Sequence, residues 1–199
     1  MAEPVRIVFQ DDHLLVVDKP AGQATQADRK GEPGLYDVLR DSEPTLALHH
    51  RLDRAASGLV VFGRSGLANR ALADGFRTHT IQRTYEAVLA GIVSDGTWNA
   101  PIDGKPARSD VRVQSSANGF TAVVLTLHTG RTHQLRRHAA MNGTPIAGDR
   151  RYGGSSARAW NRLALHAARL ELTHPSTGER LILESPLPDS LTPLWALTT

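Results

Sequence analysis

The 199-residue chain contains no cysteine. That excludes disulfides and thiolate metal sites, and it removes any clue to redox compartment. No apolar run approaches the about 20 residues that cross a bilayer. The opening Met1-Ala2-Glu3-Pro4-Val5-Arg6 lacks the apolar region of a secretory signal, so a cytoplasmic location without membrane attachment is expected. No Gly-x-Gly-x-x-Gly or Walker-type loop is present, and a nucleotide cofactor is not expected. There is no internal repeat, heptad seam or low-complexity linker. Charge of one sign is not in large excess either: the net value is +3, too small by itself to identify a polyanionic partner.

What remains is an ordinary globular composition, 40% hydrophobic and 22% charged, with one domain over residues 1–199 as the simplest organisation. Distribution says more than the total. Arg131, Arg136, Arg137, Arg150, Arg151, Arg158 and Arg162 crowd into a stretch in which Asp149 is the sole acid. Such a zone suits a phosphate backbone. A solvated helix face with scattered basic side chains accounts for it equally well.

Short β-rich runs at Ile7-Val8-Phe9 and Leu14-Leu15-Val16-Val17 predict a strand, a turn and a strand, closed by Lys19-Pro20-Ala21-Gly22. Residues 23–34 read as a loop, and Leu35 to Arg40 as a short helix. Gly58 to Phe62 predicts a buried strand. Leu67, Ala71, Leu72 and Phe76 have helical spacing within Gly66 to His79. Thr84 to Leu89, Val111 to Val113 and Thr121 to Leu127 predict strands, with a hairpin turn at Asn118-Gly119. Thr132 to Asn142 reads as a helix capped by Thr132 and closed by Gly143. Leu170 to Thr173 and Leu181 to Leu183 predict a final hairpin. Strands linked by hairpins give the expected fold class: α+β, with a mixed, largely antiparallel sheet and flanking helices.

One stretch carries the chemistry: His50-Arg51-Leu52-Asp53-Arg54-Ala55-Ala56-Ser57-Gly58. It places Asp53 between arginines and just ahead of a buried-looking strand. Neighbouring cations hold a carboxylate ionised, and an ionised, positioned carboxylate is a candidate nucleophile or base. A surface or capping aspartate is the plain alternative. The stretch from Gly130 to His138 joins a strand to a helix, where Arg131, His133 and backbone N–H groups suit an anion. Tyr85, alone in its strand, reads as core packing. The nine histidines do not form metal-binding pairs: His49 and His50 alternate, and His133 and His138 do not share a helix face. A glycoside hydrolase usually needs two acids flanking the bond, and these segments offer one.

Together these segments resemble the RluA-type pseudouridine synthase family. His50-Arg51-Leu52-Asp53 with Ser57-Gly58-Leu59 is similar to its HRLD…SG motif, and Asp11 to Gly22 to its opening segment. Gln82-Arg83-Thr84-Tyr85-Glu86-Ala87 resembles its K-x-Y-x-A strand, with arginine where lysine is commoner. Gly104-Lys105-Pro106-Ala107 and Gly130-Arg131-Thr132-His133-Gln134-Leu135-Arg136-Arg137-His138 are similar to two further motifs. Gly143 to Gly153 and Leu165-His166-Ala167 complete the series. The resemblance runs from residue 7 to 187 in the family's order. Ala56 departs from a common threonine, and the stretch between Trp98 and Ala107 is shorter than in many members. The catalytic segments begin within ten residues of Met1, so a stand-alone catalytic type without an S4 domain is expected.

The resemblance implies an RNA pseudouridine synthase fold and activity, with Asp53 as the catalytic carboxylate. Attack on C1′, addition to the base and abstraction of the 2′ proton are all open to it. Arg136 is implied as its ion-pair partner, Tyr85 as the residue that stacks on the base and assists proton transfer, and Arg51 as the side chain filling the gap left by an extruded base. Leu165 lines the base pocket in this reading, with core packing as its alternative role, and Arg131 and His133 assist substrate binding. No cofactor or metal is implied. The expected partner is an RNA loop uridine, in rRNA or tRNA, and the expected state is a monomer.

Overall fold

The computed structural model describes residues 5–28, 30–157 and 160–199, with backbone alone at 156 and 157. Arg158 and the first four residues, which entered the basic-zone and signal-peptide readings, lie outside the described residues. The elements in order are β1 (Arg6–Gln10), β2 (Leu14–Lys19), α1 (Leu35–Ser42), β3 (Ala47–Leu48), β4 (Ser57–Gly63), α2 (Gly66–Thr78), β5 (Gln82–Ala90) and β6 (Gly96–Trp98). They continue with β7 (Ser109–Ala117), β8 (Phe120–Leu127), α3 (Gln134–Met141), α4 (Gly154–Ala157), β9 (Leu165–Thr173), β10 (Arg180–Glu184) and α5 (Thr192–Ala196). The class is α+β with a largely antiparallel sheet, as expected. The chain forms two compact units: residues 1–82 with 169–185, and residues 83–168 with 186–199.

In the first unit β2 pairs antiparallel with β1 on one side and β4 on the other. All seven residues of β4 are buried, which is why its sequence is a continuous apolar run rather than an alternation. Leu14 and Val16 of β2, Leu59 and Val61 of β4, Ala68 and Leu72 of α2, Ile81, and Leu170 and Leu172 of β9 form one core. Each buried leucine of this kind contributes roughly 1.5–3 kcal/mol. Ser65 starts α2 by accepting the Ala68 amide at 3.2 Å, and His79 ends it in the left-handed conformation. β10 returns along β9 as the predicted hairpin.

In the second unit β8 is flanked by β5 and β7, and β6 pairs with β7. Asn118 and Gly119 have φ of 54° and 77°, the pair of positive values that a two-residue hairpin turn requires. One prediction needs correction. Thr132 is exposed and does not cap α3. The helix begins at Gln134, preceded by His133 at φ 54°, and His133 makes no side-chain cap bond. The two-residue β3, three-residue β6 and four-residue α4 were not predicted, nor was α5, because none is long enough to show a period.

Candidate active site

In the first unit, register places Lys19, the last residue of β2, opposite Gly58 near the start of β4. The chain leaving β2 therefore runs beside the turn that carries Asp53 into β4. Lys19 is fully buried, and its Nζ donates to the carbonyls of Pro20 (2.8 Å), Gln23 (2.8 Å) and Ala56 (2.6 Å). A buried ammonium is tolerated when its donors all find acceptors. The Gly22 amide donates to the Arg54 carbonyl at 2.7 Å, and Arg54 Nε returns a bond to the Gly22 carbonyl at 2.9 Å. Thr25 Oγ1 donates to the Leu52 carbonyl at 2.8 Å and accepts the Leu52 amide at 3.1 Å. Residues 52, 54 and 56 are thus all bonded to the strap 19–25. Asp53 sits half-buried among them, with its carbonyl accepting the Ala56 amide at 3.0 Å.

Neither flanking arginine pairs with Asp53, contrary to the first reading of this stretch. Arg54 reaches the acids of the preceding loop, Asp28 at 3.4 Å and Glu32 at 3.2 Å. Arg51 is exposed and has no hydrogen-bond or ion-pair partner among the described residues. His50 is structural: its Nε2 accepts the Val61 amide of β4 at 3.0 Å and its ring stacks on Phe76.

In the second unit, the Gly130–His138 stretch is a knot of internal bonds. Gln134 is buried; its Oε1 accepts Thr129 Oγ1 (2.7 Å) and the Arg131 amide (3.0 Å), and its Nε2 donates to the Arg108 carbonyl (2.9 Å). His138 bridges Ser109 Oγ and the Ala100 carbonyl. Arg131 Nε donates to the Pro106 carbonyl at 3.0 Å, and Arg137 forms a bidentate pair with Asp103 at 2.9 Å. The short segment between Trp98 and Ala107 is therefore fastened to α3 and its leading loop at three points.

Arg136 is buried and its Nε and Nη2 both reach Asp149, at 2.8 Å each. Asp149 Oδ1 also accepts the amides of Arg151 (2.9 Å) and Tyr152 (3.1 Å). Burial works against this carboxylate, but the Arg136 guanidinium and the two amides outweigh it and hold its pKa below the ordinary value. The Tyr152 ring faces the guanidiniums of Arg136 (5.2 Å) and Arg151 (5.4 Å), and its hydroxyl bonds His133 Nδ1 at 2.9 Å. Tyr85 and Leu165 are both buried in this unit, Tyr85 opposite Leu125 of β8.

The family model for RNA pseudouridylate synthase matches residues 13–141, which include the Asp53 turn and the Gly130–His138 knot. The chain belongs to the RNA pseudouridylate synthase family. It is 39% identical to the ribosomal large subunit pseudouridine synthase D of Nitrosomonas europaea, over 97% of this chain and 65% of that protein. It is 35% identical to the synthase D of Pseudomonas aeruginosa, over 98% of this chain and 71% of that one. The chain thus spans about two thirds of the length of these relatives. Among solved structures, human RNA pseudouridylate synthase domain containing 4 superposes with a TM-score of 0.79 at 26% identity, over 96% of this chain and 93% of that one.

Within the family frame, the structure revises the reading of the basic zone. Arg131, Arg136 and Arg137 are bonded internally, and so is Arg162, which donates to the Leu163 carbonyl at 3.3 Å and whose pKa burial lowers. Arg150 is exposed. The zone is in good part scaffold. Asp149 and Tyr152 are the residues that sequence reasoning left without a role. The signal was present: a single acid stands among seven arginines. Lys19, at the end of an apolar strand, and Thr25 carried no comparable local signal.

Proposed function

We propose that this chain isomerises uridine in RNA to pseudouridine, with Asp53 as the catalytic carboxylate. The N1–C1′ bond breaks, the base turns, C5 bonds to C1′, and the proton lost from C5 is balanced by one gained at N1, so no net redox change occurs. The observation that carries the reading is the Asp53 turn: the aspartate of the family's motif lies in a segment whose backbone is bonded on both sides to the strap 19–25. Chemistry at a sugar carbon needs such a fixed carboxylate.

Arg136 is assigned as the guanidinium that orients Asp53 during the reaction, and Tyr85 as the aromatic face for the uracil ring. Arg51, exposed and unpaired among the described residues, is assigned to the gap that the extruded base leaves. Leu165 would line the base pocket, with Arg131 and His133 at its edge. These assignments rest on the motif match. Extrusion costs a few kcal/mol, least in single-stranded loops, so a loop uridine is the proposed target. The named activity of the relatives makes large-subunit rRNA the first substrate to test, tRNA the second. A cytoplasmic monomer fits that role.

The test is incubation of the purified chain with unmodified rRNA and tRNA, followed by site mapping of pseudouridine. The wild type is expected to modify discrete loop uridines. Asp53→Asn is expected to abolish modification while RNA binding persists. Wild-type binding without isomerisation would replace this reading with a non-catalytic RNA-binding module.

A further inference from the structure

We infer that Thr25 is a positioning residue for catalysis, acting through Leu52 on the backbone of Asp53; the inference rests on Asp53 being the catalytic carboxylate. Thr25 is 3% exposed, and its hydroxyl is used twice on one residue, donating to the Leu52 carbonyl and accepting the Leu52 amide. A side chain that takes both backbone groups of its partner imitates a strand neighbour. It fixes the two peptide planes that flank Leu52, and the second of these leads directly into Asp53.

The clamp is anchored on its far side. The Leu35 and Tyr36 amides, at the start of α1, donate to the carbonyls of Ala24 and Thr25 at 2.9 Å each. Those amides are donors that a helix start leaves without intrahelical partners. The order of support therefore runs from α1 to the strap and from the strap to the turn. Gly22 holds the other side of Asp53 through the Arg54 carbonyl. Leu52 is buried, so its amide and carbonyl have no ready replacement in water. Without the hydroxyl, the turn must find a different backbone setting, and Asp53 moves with it.

Valine matches threonine in shape and removes both bonds; serine keeps them. Thr25→Val is expected to lower kcat for pseudouridine formation by about ten- to a hundredfold, the range that a misplacement on the order of an ångström costs. The KM and the Kd for RNA are expected to stay within about threefold, since Thr25 is buried. Thr25→Ser is expected to restore most of the rate. The Leu52 amide should be protected from hydrogen exchange in the wild type and in Thr25→Ser, and lose protection in Thr25→Val. Gly22→Ala perturbs the other clamp without touching the core: at φ 89° a Cβ meets no atom within 4 Å but strains the backbone. It is expected to give the same fall in kcat at constant Kd, and a wild-type kcat in Gly22→Ala overturns the premise that backbone bonds to this turn set the rate. Wild-type kcat in Thr25→Val, or a loss that serine does not restore, overturns the inference while leaving Asp53 in place. A wild type that forms no pseudouridine overturns both readings together.

Discussion

Replacing Asp149 with asparagine probes the second unit at its most buried charge. The side chains of Arg136 and Asp149 are 10% and 0% exposed, so neither end of the pair is screened by water. Oδ1 accepts three donors and Oδ2 accepts Arg136 Nε. An asparagine oxygen can serve the Oδ1 position, but its amide then meets Arg136 Nε, donor against donor. The substitution removes one charge-assisted bond, about 1.5–3 kcal/mol. It also leaves a buried guanidinium without its Asp149 counter-charge, and breaking such pairs costs about 3–5 kcal/mol in all. A loss of about 3 kcal/mol is expected, equal to a fall in Tm of roughly 6–12 °C for a chain of this size.

Urea unfolding followed by tryptophan fluorescence reads this unit selectively, because Trp98, Trp160 and Trp195 all belong to it. The pH dependence fixes the cause. Asp149 has a lowered pKa in the folded state, so its contribution is complete above the ordinary carboxylate value and is lost as pH falls through the folded one. The difference between wild type and Asp149→Asn should be full at neutral pH and shrink in acid. A loss below about 1 kcal/mol would refute the argument that the ion pair organises this region. So would a difference that does not change down to the wild type's acid transition.

Other outcomes are as specific. Gly148→Ala should prevent stable folding of the second unit, since at φ 77° its Cβ would lie 1.7 Å from the Arg162 carbonyl oxygen; a soluble variant with wild-type fluorescence and Tm would contradict this. Asp110 feels burial, but bonds from Thr97, His128 and Arg108 outweigh it and lower its pKa to about 2. Asp110→Asn should therefore cost about 1 kcal/mol at neutral pH, allowing for partial exposure, and almost nothing near pH 2; denaturant midpoints across pH check both ends. Tyr85→Phe keeps the buried ring and removes the hydroxyl, so single-turnover rates separate stacking from proton transfer: an unchanged rate leaves stacking alone.

Local features were legible in the sequence. Asn118-Gly119 defines its hairpin by backbone preference, and the unbroken apolar run of β4 announces a strand buried on both faces. The Asp53 segment was legible as a site because a lone acid among arginines is unusual. Its surroundings were not. The acids that take up Arg54 lie 26 and 22 residues upstream, and Asp149 lies 13 residues beyond Arg136, separations over which no period or propensity operates. Thr132 misled for a related reason. Its residue type favours a cap, but His133 adopts the left-handed conformation and the helix starts one residue later than a threonine cap would place it.

The bonds described for Asp149 and for the Asp53 segment differ in kind. Asp149 is held by its own oxygens, which accept a guanidinium and two amides; that stabilises the fold and leaves those oxygens little capacity for chemistry. The bonds that strap 19–25 makes to residues 52–56 land on the backbone at Leu52, Arg54 and Ala56, together with the Arg54 side chain, and none of them takes up the Asp53 carboxylate. Those clamps fix the backbone on both sides of Asp53. The buried Lys19 is one of them: a long side chain with three donors can fasten the far end of the turn from inside the unit. Lys19 and Thr25, both buried, thus bond the backbone on either side of Asp53, at Ala56 and Leu52.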